Sequence, residues 1–222
     1  MTKKKNKKKR IFKFFLILIF IGLAFIYIFT LPIKNIYITG NNILSEQEII
    51  ELANIENYPR LFANSTTSIE NKIKISPFIE DVKVSKDLLG AIYIEVLEYN
   101  ILLKDETDNQ VYLSNGEKIT LDFDYLGVPS LINYVEPDIL KEFLKKLNTI
   151  EKEVLSKISE IEYTPNEYDK DLFLFYMNDG NYVYITTTRL SNINKYESVL
   201  EQLEGKKGIL YLDSGNHFSI IS

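Results

Sequence analysis

The chain has 222 residues, with 26 Lys and Arg against 31 Asp and Glu, no cysteine, one histidine, and 15 Tyr and 13 Phe within a 45% hydrophobic composition. Without cysteine there are no disulfides or thiolate metal centres, and the single histidine leaves a zinc site to be built mostly from carboxylates. The apolar and aromatic content excludes a largely disordered chain.

Charge is unevenly placed. Lys3, Lys4, Lys5, Lys7, Lys8, Lys9 and Arg10 precede residues 11–31, where Lys13 is the only charge. At about 1.5 Å per residue such a run reaches roughly 31 Å, the thickness of a bilayer core. Lys13 lies close enough to one end to snorkel to the headgroups. A cleaved secretory signal shares the basic-then-apolar pattern, but its apolar core is only about 7–15 residues long. Here the run ends in Phe29-Thr30-Leu31-Pro32, with no Ala-x-Ala-like site. The expectation is an uncleaved anchor: a cytoplasmic tail at 1–10, a transmembrane helix at 11–31, and residue 33 onward outside, because basic flanks stay in the cytoplasm. Residues 1–30 hold eight of the basic residues and no acid, which leaves 18 basic against 31 acidic residues beyond them, a net of −13. That acidity argues against nucleic acid or anionic lipid as the main partner of the external part.

Residues 36–39 alternate as a strand and Gly40-Asn41-Asn42 turns it. Ser45 with Glu48 forms a capping box for a helix whose apolar side is Ile49, Ile50 and Leu52, stopped by Tyr58-Pro59. A second helix is predicted over 67–75, with Ile69 and Ile73 one turn apart and Pro77 beyond its end. Val82 and Val84, then Ile92, Ile94 and Val96, mark two strands around the turn Asp87-Leu88-Leu89-Gly90. The order is β-α-α-β-β, closing near Asn100.

Beyond it, strands are predicted at 101–104, 111–113 and 118–121, the last two joined by Ser114-Asn115-Gly116-Glu117. A helix should start at Pro137, a favoured first helical residue, with Ile139, Phe143, Leu144 and Leu147 on one side, followed by a half-helix at 150–155. Strands follow at 158–163, 173–177 and 182–186, the last two joined by Asn178-Asp179-Gly180-Asn181. Tyr196, Val199, Leu200 and Leu203 mark a final helix that Gly205 ends, and strands at 208–213 and 217–221 close the series.

In this order, several features resemble the bacterial FtsQ/DivIB cell-division family. They are the basic tail and single span, Ile36-Tyr37-Ile38-Thr39-Gly40-Asn41 with Leu44-Ser45-Glu46-Gln47-Glu48-Ile49, and Pro77-Phe78-Ile79-Glu80-Asp81-Val82-Lys83-Val84. Ile92-Tyr93-Ile94-Glu95-Val96 with Glu98, Tyr112-Leu113 with Gly116, Val128-Pro129 and Asp179-Gly180 continue the match. Gly208-Ile209-Leu210-Tyr211-Leu212-Asp213 with Gly215 and Phe218 complete it. Tyr99 and Tyr211 depart from the basic and acidic residues usual at those places. The resemblance implies an α+β protein: an N-terminal transmembrane helix, a POTRA domain at 33–100 (β-α-α-β-β), and at 101–222 a mixed α/β domain with a mainly antiparallel sheet. It also implies a scaffold at the division septum. Its family partners are FtsL-like and DivIC/FtsB-like bitopic coiled-coil proteins that help control septal peptidoglycan synthesis.

Catalytic raw materials are scarce. His217 has no evident nucleophile or metal partner and reads as a surface or edge residue of an alternating strand. Asp105, Glu106 and Asp108 lack the spacing and central glycine of a calcium loop. Tyr182 and Tyr184 share a strand face that could stack on sugars, although strand tyrosines are commonly packing residues. No catalytic residue, cofactor or metal is assigned. A membrane-anchored cell-wall hydrolase and a POTRA-type export or assembly adaptor are the alternative classes. The partner surface is expected on the final strands, at Leu210, Tyr211, Leu212, Asp213, Gly215 and Phe218. Nothing follows there to cover a sheet edge, and an uncovered edge can accept an added strand.

Overall fold

The computed structural model describes residues 3–121, 125, 127–203, 205–215 and 217–221. Residues 1 and 2 of the expected tail, and 122–124, 126, 204, 216 and 222 of the expected second domain, lie outside the described residues. The chain divides into two compact units, Met1–Glu98 and Tyr99–Ser222.

The first unit begins with α1 (Lys3–Thr30). Within it Lys9–Thr30 has mean hydropathy 2.7 and no residue buried against other protein. A 22-residue helix so apolar on every side is long enough to cross a bilayer, at about 33 Å. The chain then enters a folded core with almost no linker. Leu31 and Ile33 are both buried. Ile33 N–H donates to the Pro59 carbonyl (3.0 Å), Leu61 N–H to Leu31 (2.8 Å) and Lys34 N–H to Gly90 (2.8 Å).

β1 (Asn35–Thr39) runs parallel to β3 (Ala91–Glu98), and β2 (Ile79–Lys86) antiparallel to it, giving the order β1-β3-β2. α2 (Glu46–Ala53) and α3 (Thr66–Ile73) pack on the sheet, burying Ile49, Ala53, Ile69 and Ile73 among Val82, Val84, Ile92, Ile94 and Val96. Both halves of the Ser45–Glu48 capping box are present. α3 closes at Ile73, short of the predicted 75, because only Ile69 and Ile73 point inward and Ile75 is exposed.

Glu98 is the buried charge at the end of β3. Its carboxylate accepts the backbone N–H groups of Asn42 (2.7 Å), Ile43 (2.7 Å) and Leu44 (3.0 Å), tying the approach to α2 onto the sheet. Gly40 makes the close approach possible, since at φ 87° a Cβ there would sit 2.0 Å from the Val96 carbonyl oxygen.

The second unit holds a sheet ordered β12-β11-β10-β9-β8-β7-β4-β5-β6. Its strands are β4 (Ile101–Asp105), β5 (Gln110–Leu113), β6 (Lys118–Thr120), β7 (Ser130–Leu131), β8 (Ile158–Tyr163), β9 (Leu172–Met177), β10 (Tyr182–Thr186), β11 (Gly208–Tyr211) and β12 (His217–Ile220). Five pairings are antiparallel, and three, β4 with β7, β7 with β8 and β10 with β11, are parallel. α4 (Pro137–Leu147) opens at its proline and buries Leu140, Phe143, Leu144 and Leu147. Phe143 stacks on Phe173 at 4.0 Å and meets Phe175 edge-on at 6.2 Å, the centre of a core that α5 (Lys152–Leu155) also joins through Val154 and Leu155.

Two elements escaped the sequence pattern. β7 is two residues long, too short for any periodicity, yet it bridges the β4–β6 hairpins to the rest of the sheet. A 3-10 segment, Thr187–Lys195, precedes α6 (Tyr196–Gln202), and together they form the crossover that lets β11 lie parallel to β10.

Replacing Glu98 with Ala leaves three backbone donors without their acceptor. Urea unfolding of the detergent-solubilised chain should show the first unit destabilised by about 2–3 kcal/mol, while Glu95→Ala, on the exposed face of the same strand, stays within about 0.5 kcal/mol.

Candidate partner-binding edge

The sheet ends at β12, which pairs with β11 on one side and has no strand on the other among the described residues. The register Gly208↔Ile220, Leu210↔Phe218 and Tyr211↔His217 sorts the side chains into two faces. Leu210 (3% exposed) and Leu212 turn into the core, with Phe218 packed against them. They floor a hollow of about 240 Å³ beside α6, walled by Tyr196, Val199 and Leu203.

Tyr211 faces the opposite way. It stacks on Tyr184 at 5.5 Å and on His217 at 4.5 Å with the rings 7° apart, a three-strand aromatic row. Tyr182 meets Tyr176 edge-on at 5.4 Å next to it. The Tyr176 hydroxyl donates to Glu162 (2.6 Å), and that carboxylate, with some burial, holds the phenol up at about 12. The single histidine thus contributes a flat ring to the edge, and Tyr182 and Tyr184 are engaged with neighbours across the strands. Asp213 and Gly215 lie in the β11–β12 turn. Of the six predicted residues, the two leucines belong to the core, Phe218 sits where core and edge meet, Tyr211 occupies the outer face, and Asp213 and Gly215 shape the turn.

Which backbone groups are free follows from the ladder. Leu212 N–H donates back to Tyr184 on β10, and Ile221 N–H donates to Lys207. Hydrogen bonding alternates along an antiparallel pair, so the amides of His217 and Ser219 point at β11 and those of Phe218 and Ile220 point to the open edge.

Three residues that build this edge have structural roles that the sequence pattern did not assign. Asn181, in what reads as an ordinary hairpin turn, is buried, and its side-chain oxygen accepts Gly208 N–H at 2.9 Å, which fixes where β11 starts. Its neighbour Asp179 accepts the Tyr196 hydroxyl at 3.0 Å, so the same turn also holds α6. Burial, together with that carboxylate, pushes the Tyr196 phenol far up. Gly208 is required because a Cβ would lie 2.1 Å from the Ser219 carbonyl oxygen.

The acids weighed for calcium are already engaged. Asp105 is buried and accepts Thr107 N–H (3.0 Å), its hydroxyl (2.6 Å) and Lys118 Nζ (2.6 Å); Lys118 also reaches Asp108 (2.5 Å), and Glu106 accepts from Ser130 (2.7 Å). Among the described residues no cluster of three or more potential ligands is placed to hold a metal.

An N-terminal helix long and apolar enough to cross a membrane, a compact β-α-α-β-β unit after it and a mixed sheet with an open outer strand define the class: a POTRA-type protein with a candidate membrane anchor. Residues 31–99 match the family model described as "POTRA domain, FtsQ-type". Cell division protein DivIB of Bacillus subtilis is 28% identical over 228 residues, covering 97% of this chain and 85% of that one. DivIB of Listeria monocytogenes is 28% identical over 97% of this chain and 84% of its own, and that of Bacillus cytotoxicus 27% identical over 100% and 93%. A solved structure, the major extracytoplasmic domain of the trans isomer of DivIB from Geobacillus stearothermophilus, aligns with 48% of this chain and 95% of its own at 23% identity and TM-score 0.41. These likenesses support a place for the chain in the FtsQ/DivIB family of bacterial cell-division proteins.

The Asp105–Lys118 pair gives the second unit an acid-sensitive support. Burial works against the ionised carboxyl, but Lys118 and Thr107 outweigh it and hold Asp105 below the usual carboxylate range. A depressed carboxyl stabilises the fold above its unfolded pKa, and that stability is lost as pH falls through the folded value. The urea midpoint of the second unit should therefore fall on acidification below about pH 4. Asp105→Asn should lower the midpoint at neutral pH, by about 1–3 kcal/mol in stability, and flatten this acid limb; an unchanged limb would mean that other carboxyls carry it.

Proposed function

We propose that this chain is a non-enzymatic scaffold of the division machinery. In this reading the tail at 1–10 is cytoplasmic, 11–31 spans the membrane, and the POTRA domain at 33–100 and the β domain at 101–222 stand outside, at the division septum. Its partners are FtsL-like and DivIC/FtsB-like bitopic coiled-coil proteins, through which it helps control septal peptidoglycan synthesis. The observation that carries the partner assignment is the open outer edge of β12, flanked by the Tyr184–Tyr211–His217 row on one face and the Phe218 hollow on the other. An incoming extended segment satisfies the Phe218 and Ile220 amides with its carbonyls and sends alternate side chains to the aromatic row and the hollow. Family membership supports the division role, and the basic residues before the span support the orientation.

Ile220→Pro tests the edge, because it removes one outward donor from a half-exposed strand residue without touching the ladder to β11. Co-purification of the bitopic partners from membranes should be lost while the chain still unfolds cooperatively. Retained binding in that variant, and in Asp213→Lys as well, would place the interface elsewhere. The topology has its own check. Protease added to wall-stripped cells should digest the external part while an N-terminal tag stays intact, and the reverse pattern would invert the orientation.

A further inference from the structure

Two loops of the first unit converge on the point where the chain leaves α1. One is the segment 58–62 between α2 and α3, whose backbone meets residues 31–33 through the Ile33 to Pro59 and Leu61 to Leu31 hydrogen bonds and the Pro32–Arg60 bridge. The other is the β2–β3 turn, Asp87-Leu88-Leu89-Gly90, whose Gly90 carbonyl accepts the amides of Lys34 (2.8 Å) and Asn35 (3.5 Å). Lys86 joins the two, its ammonium donating to the carbonyls of Leu61 and Asn64. Asp87 stiffens the turn by accepting the N–H groups of Leu89 (2.8 Å) and Ala91 (2.9 Å).

Both loops expose large apolar side chains: Leu88 is 66% and Leu89 79% exposed, and Tyr58 and Phe62 are also exposed. Nothing in the unit's own packing calls for two leucines at the tip of a tight turn. Their depth is set by the span. The Phe62 ring lies 5.9 Å from that of Phe29, in the last turn of α1. Lys9–Thr30 is long enough to place Phe29 at the boundary between hydrocarbon and headgroups. Phe62 is therefore at the same boundary. Lys34 and Arg60, both exposed, supply cations at headgroup level against Glu56 and Asp87.

We propose that these loops form a membrane foot: Leu88, Leu89, Tyr58 and Phe62 insert into the outer leaflet around the span, so that the POTRA unit is held against the lipid surface rather than swinging on its anchor. The occupant is the bilayer the chain already crosses, and the apolar side chains, rather than the acidic external charge, do the binding. This inference rests on residues 11–31 spanning the membrane.

Because the chain has no cysteine, single cysteines can be introduced and labelled with an environment-sensitive fluorophore in the full chain, reconstituted in phosphatidylcholine vesicles free of other protein. Leu89→Cys should give blue-shifted emission, quenched severalfold more strongly by lipid carrying a nitroxide near the headgroup than Leu97→Cys. Leu97 is an exposed leucine near the opposite end of β3, and so an internal standard. Ile19→Cys, quenched by a nitroxide at the bilayer centre, reports the span itself. Water-like, unquenched emission at position 89 with Ile19→Cys deeply quenched would overturn the foot while leaving the anchor intact; loss of quenching at position 19 would overturn the anchor. Equal quenching at 89 and 97 would also overturn the foot, since attraction would then follow the label and not the turn. Unchanged far-UV circular dichroism confirms that each variant is folded.

Discussion

The constraint on which the first unit depends is the absence of slack where the apolar helix hands over to the folded unit: Thr30 ends a membrane-length helix, and Leu31 and Ile33 are already core residues. A flexible tether would let a domain rotate freely relative to its anchor. Here the backbone of 31–34 is instead held by three hydrogen bonds to two separate loops. Parallel pairing of β1 with β3 continues that fixation into the sheet, since Asn35 begins the strand and is in register with Ala91 immediately after the turn that grips Lys34. At the other end of the sheet the Glu98 carboxylate gathers the 42–44 backbone, so the loop entering α2 is fixed by one buried charge with its acceptors filled.

In the second unit the corresponding element is the parallel step from β10 to β11. Antiparallel neighbours can be joined by a tight turn, but a parallel neighbour needs the chain to return along its own length. The 3-10 segment and α6 make that return, and Leu190, Ile193 and Tyr196 bury it in the core. The Asn181–Gly208 hydrogen bond then sets where the returning chain begins to pair. The outcome is that β12, an antiparallel addition to β11, stands at the rim with two chemically different sides.

Much of this was legible because periodicity and capping are local. The capping box at Ser45–Glu48, the start of α4 at Pro137, the Ile92-Ile94-Val96 alternation and the order of the strands all follow from spacing within a few residues. What was not legible is what depends on distant partners. β7 exists only because Pro129 and Ser130 fall between β4 and β8. Asn181 looked complete as a turn residue, and nothing near it in sequence reveals the strand 27 positions on that it holds. At the edge, alternation along β11 puts Leu210 and Leu212 on the core face and Tyr211 on the other. It could not tell that β11 is an inner strand and β12 the outer one, which depends on which neighbour β10 accepts.

The strand order carries a consequence for how the molecule is made. From β8 onward every strand lies beside its predecessor in the chain, so this part of the sheet can be assembled in the order of synthesis, N-terminus first. The first compact unit is continuous in sequence and ends at Glu98. β11 and β12 form a local antiparallel hairpin, and β10 fixes where that hairpin docks on the sheet. Among the described residues the β12 rim is attached to the rest of the sheet only through β11, so the placing of that edge depends on the whole parallel step behind it.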